Sequence, residues 1–169
     1  MPRATKPEPW LRGPIEGLHP LLSPVLYTFT QAREDLEKWT HPLSEQQIWE
    51  RPRGLAPVGF HIRHIAGSVD RLMTYLTGAQ LSSSQLTALD YEMEPDATCE
   101  ELLHALDEAF SNAEEIVRNL DPNTLSEPRE VGRKKLPSTV IGLLTHIAEH
   151  TQRHVGEAII TAKLLAASR

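Results

Sequence analysis

Four stretches of this chain repeat their apolar residues every three or four positions, and that period belongs to a helix with one buried face. From about Leu21 to Trp39 the stripe is Leu22, Val25, Leu26, Phe29, Ala32, Leu36 and Trp39. After Pro57 it is Val58, Ile62, Ile65, Val69, Leu72 and Leu76. After Thr98 it is Leu102, Leu106, Ala109, Phe110, Ala113, Ile116, Val117 and Leu120. After Ser138-Thr139 it is Val140, Leu144, Ile147, Thr151, His154, Ala158, Ala162 and Leu165. Strand-like alternation is scarce. The expected fold is all-α, a four-helix bundle.

Local signals set the boundaries. His41-Pro42 closes helix one. Ser44-Glu45-Gln46-Gln47 has the form of a capping box and predicts a short helix over Glu45 to Glu50. Pro57 suits the first turn of helix two, and Gly78 suits its end. Thr98-Cys99-Glu100-Glu101 is a second capping box, opening helix three. Ser138 or Thr139 can cap helix four, which runs nearly to the C-terminus. Residues 79–96 are polar and poorly periodic; they have room for a short helix but read mainly as a connection, long enough for a crossover between helices two and three rather than a tight hairpin. Residues 126–137 carry Pro128, Gly132 and Pro137 around Arg133-Lys134-Lys135 and predict an exposed loop or small hairpin. Pro2, Pro7, Pro9, Pro14 and Pro20 forbid a helix through residues 1–20. That stretch reads as an N-terminal arm, with Trp10 and Leu11 as residues that could pin it, and 21–169 as the bundle domain.

Composition narrows the class. A chain of 169 residues with 40% apolar residues can bury a full core. Its formal net charge of -6 lacks the basic footprint of a nucleic-acid binder. No apolar run approaches the roughly 20 residues that span a bilayer. The single cysteine, Cys99, permits no internal disulfide, and a reducing cytoplasm is the expected location. No motif makes Cys99 a nucleophile. Trp39 and Trp49 read as packing residues.

Five of the eight histidines fall in two segments: His61 and His64 in helix two, then His146, His150 and His154 in helix four. His150 and His154 lie about 40° apart around the helix and about 6 Å apart along it, so two imidazoles can converge on one ion. His154 lies in the apolar stripe and His150 on its flank, and a buried imidazole needs partners for both nitrogens. A metal satisfies one nitrogen; a neighbouring acceptor satisfies the other. A third ligand has to come from another helix, and spacing alone does not choose between His61 and His64. Three neutral imidazoles suit zinc, nickel, copper or iron better than magnesium or calcium. His146 extends the ladder, as an outer partner or an ordinary polar residue. Glu157, three residues beyond His154, could accept a proton, order a ligand or bind the metal.

The segments Gly59-Phe60-His61-Ile62-Arg63-His64-Ile65-Ala66 and His146-Ile147-Ala148-Glu149-His150-Thr151-Gln152-Arg153-His154-Val155-Gly156-Glu157 resemble the DinB-like superfamily, also called YfiT-like metal-dependent hydrolases. The resemblance covers nearly the whole chain after the arm. It implies a four-helix bundle with a long crossover, often a homodimer. It implies a metal held by His64, His150 and His154, with zinc or nickel the leading ions. It also implies a small-molecule reaction, in which a bound water or a low-molecular-weight thiol cosubstrate attacks a small electrophile. The competing reading is a non-catalytic metal-binding bundle or a dimeric stress-linked binding protein. The family motif commonly ends in glycine then glutamine; here Gly156 is followed by Glu157.

Overall fold

The structure is a computed structural model that describes residues 6–167; residues 1–5, with the arm's first proline Pro2, and residues 168–169 lie outside the described residues. The elements are α1 (Ser23–Thr40), α2 (Glu45–Ile48), α3 (Val58–Leu76), α4 (Ser83–Asp90), α5 (Cys99–Arg118), β1 (Pro128–Val131), β2 (Leu136–Thr139) and α6 (Val140–Ala167). The long helices α1, α3, α5 and α6 are the four that the apolar periods predict.

Their stripes meet in one core. Phe29 of α1 and Phe110 of α5, both fully buried, stack with ring centroids 4.4 Å apart. Ile62, Ile65 and Val69 of α3 and Ile147, Val155 and Ala158 of α6 complete it. The capping boxes at Ser44 and Thr98 both form, each with a side-chain oxygen accepting from the third helical N–H. A third box, at Ser82, opens α4. The turn after α3 runs through Gly78 at φ 82°, where glycine carries no steric cost; its N–H donates to Tyr75 O while Ala79 N–H donates to Thr74 O. Thr139 Oγ1 accepts from the Gly142 N–H and caps α6. Residues 128–139 form the antiparallel hairpin β1–β2, with Arg133, Lys134 and Lys135 exposed at its turn.

Chain direction follows from paired contacts. α1 and α6 run parallel: Gln152 Nε2 donates to Thr28 O, and one helical stretch later Lys163 Nζ sits 4.6 Å from the Trp39 ring centre. α3 and α6 run antiparallel, since His61 lies beside His154 while Ser68 reaches His150. Residues 77–98 travel back along α3. Gln85 Nε2 donates to Asp70 and Thr74, Arg71 holds Glu92, Arg63 donates to the carbonyls of Tyr91 and Glu94, and Trp49 Nε1 donates to Ala97 O. Trp49 is wedged against Gly59, where an added Cβ would lie 2.9 Å from the indole. The connection thus retraces about 28 Å of helix before α5 begins, and α3 and α5 run parallel. This is the crossover that the long polar connection predicts.

The arm departs from expectation in detail. Trp10 and Leu11 are 60% and 57% exposed, so neither is buried against the bundle. They sit on a 3₁₀ turn, Pro9–Leu11, that turns Pro9 inward instead. The attachment is both apolar and polar: Ile15 and Leu18 pack against the core, both Arg12 amino groups donate to the Glu34 carboxylate at 2.6 Å, and Tyr27 OH donates to Gly13 O.

Candidate metal centre

Three helical offsets and one helix pairing assemble the site. His61, His64, Ser68 and Arg71 of α3 follow one another at three or four residues, so they share a face. His150 and His154 share a face of α6 in the same way. The antiparallel packing brings the two faces together. The ring centroids of His64, His150 and His154 form a triangle of 4.4 Å, 4.6 Å and 5.1 Å. Each of the three offers a ligand atom within 4.8 Å of the other two, and each side chain is partly buried.

Each ring has its Nδ1 engaged by a different neighbour. His64 Nδ1 lies 2.6 Å from Glu92 Oε2. Glu92 is only 6% exposed and also accepts from Arg71 Nη2 at 2.8 Å. Burial works against its charge, but the bonds from His64 and Arg71 outweigh burial and hold its pKa below the ordinary carboxylate value. An ionised carboxylate only accepts hydrogen bonds, so the His64 proton is on Nδ1 and the Nε2 lone pair is available. His150 Nδ1 lies 3.4 Å from the hydroxyl of buried Ser68. His154 Nδ1 lies 3.0 Å from His61 Nδ1. Phe60 stacks on the His64 ring at 5.3 Å and screens one side of it.

The two rings of α6 are set up to stay neutral. Burial, with the neighbouring His154 and His64, pushes His150 down to about 4. Burial also lowers His154, with His64 adding to the effect and Glu157 opposing it. A neutral imidazole is the form that binds a metal.

The two histidines of α3 both reach His154, on different sides. His64 joins His150 and His154. His61, 2% exposed and pushed to about 4 by burial, instead forms a second group with His154 and Glu157. Glu157 is about half exposed, with Oε2 3.6 Å from His61 Nδ1 and 3.8 Å from His154 Nδ1. His146 is exposed and bound to Glu149 at 2.7 Å, an ordinary flank residue in its contacts. Cys99 is half-buried, and burial raises its thiol pKa.

Sequence reasoning missed Glu92, Ser68, Arg71 and Phe60. Ser68 and Arg71 carried a signal, lying four and seven residues beyond His64 on its face. Glu92 carried none, since it stands 28 positions away in an aperiodic polar run.

Comparison with known proteins supports the same architecture. A solved structure described as "YfiT from Bacillus subtilis is a probable metal-dependent hydrolase with an unusual four-helix bundle topology" superimposes with a TM-score of 0.64, covering 89% of this chain and 91% of that one at 15% identity. At that identity the likeness speaks for the fold. The comparison with curated proteins gave no match. Among the described residues no helix is long and apolar enough to cross a membrane. The DinB superfamily sequence profile matches residues 28–158, a span that contains all four long helices in most of their length and both histidine groups, and the chain belongs to that superfamily.

Proposed function

We propose that this protein is a metal-dependent enzyme in which His64, His150 and His154 hold one divalent transition metal, zinc or nickel. The observation that carries the reading is the triangle of three imidazoles from two helices, each with its Nδ1 already committed to a separate neighbour. Nε2 is then the nitrogen each ring can give to a shared ion. The group offers three protein donors, one fewer than a closed four-ligand site, which favours chemistry over a purely structural ion. An ion so held supplies a Lewis-acid position at which a water or a low-molecular-weight thiol is deprotonated near neutral pH.

The chain's own residues do the rest. Glu92 fixes the His64 tautomer and ring angle. Arg71 keeps Glu92 charged. Ser68 orients His150. Glu157 stands 3.8 Å from His154 Nδ1 and supplies a negative charge beside that ring. The substrate class is a small electrophile, open to hydrolysis or to thiol transfer. A homodimer in the cytoplasm completes the reading and is tested by sedimentation and by fractionation.

Protein loaded with zinc or nickel is to be assayed against thiol–electrophile pairs and small hydrolysable esters and amides. Turnover that vanishes in His150→Ala supports the reading. Undiminished turnover in that variant, or none across the panel with the ion in place, overturns it.

A further inference from the structure

The His154 ring has a second edge. Its Nδ1 faces a pocket of donors that the three-histidine centre does not use. His61 Nδ1 and His154 Nδ1 are 3.0 Å apart, and Glu157 Oε2 is 3.6 Å from the first and 3.8 Å from the second. A triangle with these sides has a point about 2.0 Å from all three corners, the bond length of zinc to imidazole nitrogen and to carboxylate oxygen. A proton shared between the two rings explains the 3.0 Å side alone. The carboxylate lies beyond normal hydrogen-bond distance of either ring, yet nearly equidistant from both.

We infer that His61, His154 and Glu157 form a second position for a divalent transition metal, sharing the His154 ring with the first. The inference rests on the three-histidine reading of the first ion. The donor set of two imidazoles and one carboxylate matches zinc, copper(II) and nickel(II). His61 brings a buried, neutral ring, and Glu157 brings a charge that solvent can reach, so an ion can enter from the exposed side. Two dications on one ring repel each other. Three negative charges oppose that repulsion. Glu157 and Glu92 carry two of them. The third forms when the second ion takes the place of the proton on His154 Nδ1: the N–H bond breaks, the N–metal bond forms, and the proton passes to buffer. His154 then bridges the ions as an imidazolate, and Glu157 becomes a ligand.

The test uses the full chain and three variants, Glu157→Gln, His61→Asn and His64→Ala, each checked for helicity by circular dichroism. Glu157 is exposed enough that its glutamine variant carries little folding risk. Zinc content is measured by mass spectrometry after equilibrium dialysis at micromolar free zinc. The expected result is about two zinc ions per chain in the unaltered protein. Glu157→Gln and His61→Asn should retain one and lose the other. Loaded with copper(II), the unaltered protein should give a weakened, exchange-coupled electron paramagnetic signal. Glu157→Gln should restore the signal of an isolated ion. A single zinc in the unaltered protein, lost in His64→Ala and kept in Glu157→Gln, overturns the second position and leaves the first. A single zinc lost in Glu157→Gln and kept in His64→Ala overturns the three-histidine reading and the bridged pair, and leaves His61, His154 and Glu157 as the one ion position. Two zincs in every variant overturn the ligand assignment.

Discussion

Glu92 supports the candidate centre without belonging to the expected ligand set. Its two oxygens divide their work, one on His64 and one on Arg71, at 2.6 Å and 2.8 Å. Removing it frees the His64 ring to change tautomer and leaves the Arg71 cation, 11% exposed, without its partner. Loss of an orienting carboxylate behind a metal-bound histidine costs about 10–100-fold in affinity. An uncompensated buried charge costs about 3 kcal/mol. Glu92→Ala is therefore expected to weaken zinc binding by that factor in chelator competition, and to lower stability in urea by that amount. Unchanged values on both counts would refute the role. At this scale the sequence is informative wherever the helix period carries the signal. His150 and His154 are recognisable because four residues make about one turn. The choice between His61 and His64 is not, because it depends on how α3 is seated against α6, and both rings reach His154.

Among the elements, those whose capping box leads into a buried apolar residue could be read from the sequence, and the one whose box leads into none was not singled out. The boxes at Ser44 and Thr98 stand before apolar runs, and both form. The box at Ser82 opens α4, which buries no residue, so no period announced it. The arm shows the same limit. Its prolines exclude a helix, but its attachment includes an ion pair across 22 positions, and no local pattern encodes that. Arg12 holds the Glu34 carboxyl down to about 2, with Lys6 adding to the effect. A lowered carboxyl pKa stabilises the docked form above the ordinary value near 4.5, and this contribution fades as pH falls from there towards 2. The arm is expected to loosen over that window while the bundle helices persist. Hydrogen exchange at the amides of Leu11, Arg12 and Leu18, each bonded within the arm, measures this at pH 6 and pH 3 after correction for intrinsic rates. Equal protection at both values would contradict the assignment of Arg12–Glu34 as the pin.

For the whole molecule, the candidate centre joins α3 to α6, elements separated in sequence by the whole of α5 and the hairpin. A ligand that binds only the folded arrangement stabilises it by mass action, about 2.7 kcal/mol at a free concentration 100 times its dissociation constant. For a chain of this length that corresponds to roughly 5–10 °C in melting temperature. Calorimetry with saturating zinc is expected to show the rise, and His154→Ala is expected to abolish it. A rise of equal size in the variant would place the ion elsewhere. The global arrangement was only partly legible. The length of residues 77–98 called for a crossover, but the parallel course of α3 and α5 rests on Arg63, Arg71 and Trp49 gripping that segment at successive heights. The same grip has an evolutionary consequence. The strand of chain that carries Glu92 is a surface strap outside the bundle core, and such segments tolerate exchange better than packed helices do. Descendants of this architecture can retune the reactivity of a metal-bound histidine by exchanging residue 92 and its neighbours in the strap, with the four long helices left unchanged.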